Sequence, residues 1–143
     1  MSVEKILETK GRNVFTIRPD HSVSEAAQLM SAKKVGVAIV TDGKGAIAGI
    51  LSERDIVAGI TQFGKGVVDM PVRNLMTSLV ATCSPGDSVK KIMEVMNDRR
   101  IRHLPVVEGG ELIGIVSIGD AVNFRLKETQ LEMGVLRDFA ATR

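Results

Sequence analysis

The chain has 143 residues, of which 44% are hydrophobic and 25% charged, and this composition fits one compact globular unit that can bury a sizeable core. The formal net charge is only +2, and because the basic residues are dispersed and the four aromatic residues are all phenylalanine, a nucleic-acid-binding surface is not expected. A single cysteine rules out an internal disulfide, and since no apolar run approaches the roughly 18 residues of a membrane span, we expect a cytoplasmic protein with no membrane partner.

The sequence is an internal duplication that covers nearly the whole chain. Residues 14–30 match residues 80–96 (VFTIRPDHSVSEAAQLM against VATCSPGDSVKKIMEVM), and residues 49–55 match residues 114–120 (GILSERD against GIVSIGD). The spacing between the copies shortens by one residue at a glycine-containing turn, where a loop tolerates a deletion. Two copies of one structural unit are therefore expected.

Each copy predicts the same order of elements, namely strand, helix, strand, strand and helix. A short alternating strand, at residues 14–17 or 80–83, is stopped by a proline, and Ser22 or Ser88 then caps a helix with apolar residues at helical spacing. Two apolar runs joined by a glycine-containing turn predict a hairpin, and a helix begins after each heptapeptide. Because neither copy has enough sheet to cover both of its faces, we expect an α+β fold of two β-α-β-β-α units packed about a pseudo-two-fold axis.

Each copy also has an apolar lead-in, and the two lead-ins resemble one another. We divide the chain into a first repeat with its lead-in at residues 1–63, a second repeat with its linker at residues 64–128, and a helical tail at residues 129–143. The matching lead-in residues are Val3, Ile6 and Leu7 before the first copy and Val72, Leu75 and Met76 before the second.

The end of the chain predicts a long amphipathic helix. Apolar residues recur at spacings of three and four, although Gly134 interrupts the pattern at some cost in helix stability. Such a stripe packs either on a second subunit or back on the protein's own core. It consists of Val122, Leu126, Thr129, Met133, Leu136 and Ala140.

The repeated serine and aspartate are the candidate functional residues. Ser52 and Ser117 stand where a strand ends and a helix starts, and Asp55 and Asp120 follow three residues later. This spacing is close to a capping box, in which each side chain satisfies a free backbone N–H. The same spacing also suits a nucleotide, since a helix N-terminus and a hydroxyl can hold phosphate while a carboxylate accepts hydrogen bonds from both hydroxyls of a ribose. The residues alone leave both interpretations open.

Two further features of the motif favour the nucleotide interpretation. Ile50 and Ile115 are placed to line a purine face, and the glycine before each of them would let a ligand approach the strand backbone. A single GxxSxxD motif is weakly specific, but two copies at matched places in a duplicated unit are strongly specific.

With these motifs in place, the chain resembles the tandem cystathionine-beta-synthase (CBS) domain pair over about residues 1–128. The likeness depends on TIRPDHSVSEA, VGVAIVTD and GILSERD in the first copy and on TCSPGDSVKKI, IRHLPVVEG and GIVSIGD in the second. The resemblance implies a regulatory module that binds an adenosine-containing ligand in the cleft between the copies. AMP is the first choice, with ATP, NAD and S-adenosylmethionine as alternatives, and the ligand is reversible rather than a permanent cofactor. No metal site is expected.

The resemblance also implies roles for individual residues. Asp55 and Asp120 would each hold a ribose with Ser52 and Ser117 nearby, and Arg54 would add a polar contact. Arg102 and His103, which precede the strand proline of the second copy, would reach ligand phosphates across the cleft. Their first-copy counterparts are Gly36 and Val37, so the two pockets are unequal. We expect the Asp55 pocket, with Arg54 beside it and Arg102 or His103 reaching over, to be the better anion site.

Two other classes of function compete with a nucleotide sensor. Catalysis would need a motif serine, His103 and an aspartate, but the other copy has no equivalent histidine, and the known nucleophile-elbow, phosphate-loop and zinc motifs are missing from the sequence. We therefore expect a binding protein rather than an enzyme, acting as an energy or redox sensor on an unknown regulated protein. The alternative is a protein-interaction or dimerisation module with vestigial nucleotide sites, and in either case we expect a homodimer.

Overall fold

The computed structural model of the protein describes residues 2–78 and 80–141, and for residues 138–141 it describes the main chain alone. In these residues a three-stranded and a two-stranded sheet are surrounded by helices. The predicted α+β fold of two duplicated units is therefore confirmed. A first helix, α1 (Val3–Lys10), precedes both repeats.

The first repeat folds in the predicted order. Its first strand pairs in parallel with the second, and the second and third strands form an antiparallel hairpin. The hairpin turn is held by Asp42, whose carboxylate accepts hydrogen bonds from the backbone N–H groups of Lys44 and Ala46. The elements are β1 (Thr16–Ile17), α2 (Val23–Lys33), β2 (Val37–Thr41), β3 (Ile47–Ser52) and α3 (Glu53–Phe63).

The second repeat has the same order except at its first strand. Of the strand predicted at residues 80–83, only Cys83 pairs, in parallel with Val106. The extended segment ends there because the carboxylate of Asp87 accepts a hydrogen bond from the backbone N–H of Ser84 and fixes a turn. The predicted strand is thus a single bridge. The remaining elements are α4 (Val89–Arg99), β4 (His103–Glu108), β5 (Glu111–Ser117) and α5 (Ile118–Ala141).

The helix caps follow the prediction in both repeats. The hydroxyl oxygen of Ser22 accepts a hydrogen bond from the backbone N–H of Glu25, and that of Ser88 accepts one from Lys91, each at 3.0 Å. Both helices also end alike, since Lys34 and Arg100 take the left-handed conformation at φ values of 57° and 55°. The duplication therefore extends to the geometry of the helix ends.

The two lead-ins are exchanged between the repeats. Helix α1 joins the second repeat, where the backbone N–H of Val3 donates to the carbonyl of Asp87 at 2.9 Å. The linker joins the first repeat, where the backbone N–H of Val23 donates to the carbonyl of Met70 at 2.8 Å. The boundaries at residues 63 and 128 stay a prediction, but the packing pairs each lead-in with the other repeat rather than with the repeat that follows it.

Two apolar clusters show the same exchange. The core of the second repeat contains Val3, Ile6 and Leu7 of α1 together with residues of α4, β4 and β5. The core of the first repeat contains Val72 of the linker, with Leu75 and Met76 packed against it. Each repeat is therefore completed by a segment that precedes the other one.

The last helix is continuous over 24 residues, so the helix after the second motif and the predicted tail are one element. The part of the predicted stripe that is described is exposed, as at Leu126 and Leu136, and does not fold back on the core. The side chain of Ala140 lies outside the described residues. None of the helices in residues 2–78 and 80–141 is long and apolar enough to cross a membrane.

Candidate functional site

The glycine of each motif makes room for a lead-in. A Cβ atom at Gly49 would lie 2.7 Å from the carbonyl oxygen of Thr77, and one at Gly114 would lie 2.8 Å from Cδ2 of Leu7. Both distances are too short for a real contact. The prediction that these glycines admit a ligand is therefore replaced by a packing role, because linker and α1 occupy the space beside them.

The first motif forms a complete capping box at the start of α3. The backbone N–H of Asp55 donates to Oγ of Ser52 at 3.2 Å, and the backbone N–H of Ser52 donates to Oδ2 of Asp55 at 2.9 Å. The serine hydroxyl also donates to Oδ2, at 3.0 Å. Among the described residues, no hydrogen bond reaches Oδ1 of Asp55, so one oxygen of this carboxylate is left for another donor.

The second motif repeats this cap at the start of α5 and adds a cation. Asp120 and Ser117 exchange the same two hydrogen bonds, at 3.0 Å and 2.9 Å. In addition, Nζ of Lys10, the last residue of α1, donates to Oδ2 of Asp120 at 2.6 Å and to the carbonyl of Ile115 at 3.0 Å. The second carboxylate is thus held by a lysine that lies 110 positions earlier in the chain.

Burial and hydrogen bonding act on the pKa of Asp120 in opposite directions. Partial burial raises this pKa, but the hydrogen bond and charge of Lys10 and the hydrogen bonds from Ser117 together outweigh the burial. The pKa therefore lies below its ordinary value, and Asp120 is ionised at neutral pH.

Arg102 and His103 lie beside the second motif. His103 pairs with Ser117 in the hairpin register, and the carbonyl of Arg102 accepts a hydrogen bond from the backbone N–H of Ile118 at 2.8 Å. Burial lowers the pKa of His103, and the charges of Lys10 and Arg102 lower it further against the opposing charge of Asp120. His103 is therefore neutral at pH 7.

This placement differs from the predicted anion site, which stays a prediction. We expected Arg102 or His103 to reach the Asp55 pocket, but the structure places His103 against the Asp120 cap, because β4 pairs with β5 of its own repeat. In the part of the chain that the structure describes, neither residue forms a hydrogen bond or ion pair with Asp55. Lys10 and His103 lie at the second motif instead, and the backbone of Arg102 lies beside it.

The two isoleucines mark a further difference between the clefts. Ile50 exchanges two backbone hydrogen bonds with Thr77, each 2.9 Å long, so the linker covers the first strand edge. At the equivalent Ile115, the carbonyl oxygen accepts a hydrogen bond from the ammonium group of Lys10 instead. Both side chains are half-buried, as a wall of a ligand cleft would be, while Arg54 is exposed on the first turn of α3.

Lys10 is the site residue that sequence reasoning missed. The available signal was the likeness of the two lead-ins, but the sequence does not show that they are exchanged. Lys10 and Asp120 border a cavity of about 220 Å³ between α1 and α5, which has Ile6 and Phe124 as apolar walls. That volume is below the roughly 300–1,000 Å³ of ordinary ligand pockets.

The fold and the two capped motifs define a tandem domain pair, and comparison with known proteins gives its family. The sequence model of the CBS domain matches residues 3–61 and again residues 72–127, so the chain belongs to the CBS domain family. Pairs of this domain are regulatory modules and are generally non-enzymatic.

Several known proteins share the sequence or the fold. One is a CBS-domain containing protein from Agrobacterium tumefaciens, whose sequence is 41% identical to this one. Its crystal structure superposes with a TM-score of 0.85, and the match covers 87% of this chain and 92% of that chain. The CBS domain-containing protein YhcV of Bacillus subtilis is 33% identical over 85% of this chain and 86% of its own length. The CBS domain pair of protein MJ0100, in complex with 5′-methylthioadenosine and S-adenosyl-L-methionine, shares the fold at a TM-score of 0.79 and 23% identity, over 90% of this chain and 98% of that chain.

Proposed function

We propose that this protein is a regulatory module that reversibly binds an adenosine-containing ligand in the clefts that its two capped motifs border. AMP is our first choice, with ATP, NAD and S-adenosylmethionine as alternatives. The observation that carries the proposal is the pair of equivalent Ser-x-x-Asp caps, each at the junction of a strand and a helix. The 5′-methylthioadenosine and S-adenosyl-L-methionine complex of a CBS pair with the same fold supports the ligand class.

The caps leave room for ribose recognition. Capping engages only Oδ2 of each aspartate, so each carboxylate keeps a second oxygen for the two adjacent hydroxyls of a ribose. The exposed N-termini of α3 and α5 add a positive dipole at the same place. Capping and ligand binding are therefore compatible functions of one residue.

The charges favour the Asp120 cleft for a phosphorylated ligand. Lys10 is cationic and pairs with Asp120, and His103 lies near both of them with Arg102 directly before it in the chain. This preference replaces the earlier expectation for the Asp55 pocket. AMP has about 23 non-hydrogen atoms, and at roughly 0.3 kcal/mol per atom its Kd would be on the order of 10 μM, which suits the sensing of a cellular metabolite.

Calorimetric titration of the full chain with AMP, ATP, NAD and S-adenosylmethionine tests the proposal. Asp120→Asn keeps an oxygen that can cap the helix but removes the charge, and we expect it to weaken AMP binding about 10-fold or more. Asp55→Asn tests the first cleft in the same way. Asp98→Asn, at an exposed aspartate of α4, is the matched control and should bind as the wild type does.

The deoxy nucleotides identify the ribose contact. If Asp120 holds the diol, 2′-deoxy-AMP and 3′-deoxy-AMP bind the wild type more weakly than AMP, and Asp120→Asn removes this preference. Equal binding of all three nucleotides by the wild type contradicts the ribose assignment. Quantifying the nucleotide after long incubation tests whether the protein only binds it, since consumption would identify an enzyme.

A second function is favoured by a separate observation. Helices α3 and α5 carry exposed apolar side chains, among them Ile60 and Leu126, which suit a protein-interaction or dimerisation module with vestigial nucleotide sites. Absence of any adenosine-ligand binding together with stable self-association would favour this alternative. In both cases we propose a cytoplasmic homodimer that acts on a partner protein.

A further inference from the structure

The ammonium group of Lys10 joins two parts of the second cleft. It lies 2.6 Å from Oδ2 of Asp120 and 3.0 Å from the carbonyl oxygen of Ile115. The two charged side chains are 33% and 26% exposed, so the ion pair is partly shielded from water. Asp120 is the carboxylate on which the proposed ribose contact depends.

The first cleft has no such cation. Among the residues that the structure describes, no lysine or arginine forms an ion pair with Asp55, whose carboxylate contacts Ser52. The carbonyl of Ile50 accepts a backbone hydrogen bond from Thr77 rather than an ammonium group. Among the described residues, the lysine is thus specific to the cleft where His103 also lies.

We propose that Lys10 is an internal counter-ion that occupies the empty Asp120 cleft and makes it selective for phosphorylated adenosine compounds. This inference rests on the proposed function. Lys10 lies on Oδ2 of Asp120 and draws on the charge of the carboxylate whose other oxygen would hold the ribose, and an uncharged nucleoside offers the ammonium group no replacement anion. A nucleotide brings a phosphate to which Lys10 can turn while the ribose takes its place at Asp120.

The position of Lys10 gives this exchange a structural consequence. Lys10 is the last residue of α1, and α1 is anchored in the second core through Val3, Ile6 and Leu7. The chain continues from Lys10 directly to the first repeat. A ligand that moves the ammonium group therefore acts on the residues after Lys10, which connect α1 in the second core to the first repeat.

The experiment is a site-resolved titration by ¹⁵N-amide NMR with adenosine and with AMP. The amides of Ser117 and Asp120 report the second cleft, and those of Ser52 and Asp55 report the first. Lys10→Met removes the charge and keeps the chain length. Lys5→Met removes an equal charge from the exposed side of the same helix and is the matched control.

We expect Lys10→Met to bind adenosine about 3- to 10-fold more tightly in the second cleft, because Asp120 is released. The ratio of AMP affinity to adenosine affinity in that cleft should fall about 10-fold, while the first cleft and the Lys5→Met protein behave as the wild type. Lys10→Gln should show the same two changes and guards against an effect of methionine itself.

The opposite results are distinguishable. If adenosine and AMP bind the second cleft of Lys10→Met with wild-type affinities, the counter-ion inference is wrong and the proposed function stands. If neither compound binds either cleft in the wild type or in Lys10→Met, the proposed function is wrong and this inference fails with it.

Discussion

Each motif aspartate combines two roles in one carboxylate. Its Oδ2 atom accepts a hydrogen bond from the backbone N–H of the serine three residues before it, and this bond caps the start of the helix. Its other oxygen is left for a ligand. A cap of this kind contributes about 0.5–2 kcal/mol to stability. Because an asparagine keeps the capping oxygen, Asp→Asn variants separate the two roles better than Asp→Ala variants.

His103 makes the stability of the protein depend on pH. Burial, with the charges of Lys10 and Arg102, lowers its pKa below the ordinary value of 6.5, so the unfolded chain takes up a proton before the folded one does. The free energy of unfolding should therefore fall as the pH drops below about 6.5, by at most about 1.4 kcal/mol per pH unit for one proton. Urea titrations from pH 7.5 to pH 5 measure this slope.

The histidine variant isolates this contribution. In His103→Gln, which is neutral at every pH, the slope between pH 7 and pH 5 should be smaller than in the wild type. Asp120 also has a lowered pKa, but its contribution is lost only when the pH falls below its ordinary value of 3.8, so the two groups act in separate ranges. An unchanged slope in His103→Gln would contradict the burial of a neutral histidine.

At the scale of elements, the exchanged lead-ins explain why each motif contains a glycine. Leu7 of α1 lies against Gly114, and Met76 and Thr77 of the linker lie against Gly49, at distances that leave no space for a Cβ atom. The strand and the incoming lead-in approach closely only because the glycine has no side chain. One motif therefore holds both a helix cap and a contact with the other half of the chain.

Leu7→Ala tests the exchange. The side chain of Leu7 is 1% exposed within the second core, so its truncation should lower the free energy of unfolding by about 2–5 kcal/mol in urea titrations. Amide hydrogen exchange should speed up in β4 and β5 rather than in β2 and β3, although Leu7 precedes the first repeat. Glu8→Ala, at the exposed neighbour, is the control, and a loss of protection confined to the first repeat would refute the exchange.

Much of this element structure follows from the sequence. Ser22 and Ser88 cap helices where the spacing predicts them, and the glycine-containing turns close hairpins. The partner of each lead-in does not follow, because the apolar spacing of Val3 and Leu7 shows that one face is buried but not which core buries it. For the same reason the sequence could not predict that Lys10 meets Asp120.

The cationic residues of the candidate site show the same limit. The sequence identifies Arg102 and His103 as basic groups before a strand, and the resemblance assigns them to a phosphate. The hairpin register then decides which cleft they enter, since His103 pairs with Ser117. Register depends on contacts between strands, and local patterns specify it only weakly when both strands are apolar.

At the scale of the whole molecule, the pseudo-two-fold relation extends to the apolar surface. Helices α3 and α5 follow equivalent motifs, and each leaves large apolar side chains exposed, with Ile60 at 53% and Leu126 at 55%. Two related faces on one chain suit a symmetric contact with the same faces of a second copy. We therefore expect a homodimer in solution.

Light scattering coupled to size-exclusion chromatography measures the mass in solution. The wild type should elute at twice its chain mass of 15.4 kDa, and Leu126→Glu should shift the mass toward that of one chain because it places a charge in the apolar contact. Gln130→Glu adds the same charge at an exposed polar position of α5 and should remain dimeric. A wild type that stays at 15.4 kDa at high concentration would disprove the dimer.

The exchanged lead-ins also constrain how such chains can recombine. A crossover between residues 63 and 64 would join α1 and the first repeat of one parent to the linker and second repeat of another. Both cores of the offspring would then be hybrids, since Val3 and Leu7 would meet a foreign second repeat and Val72 a foreign first repeat. The two repeats are therefore expected to be inherited together as one pair, although each repeat is a separate copy of the same structural unit.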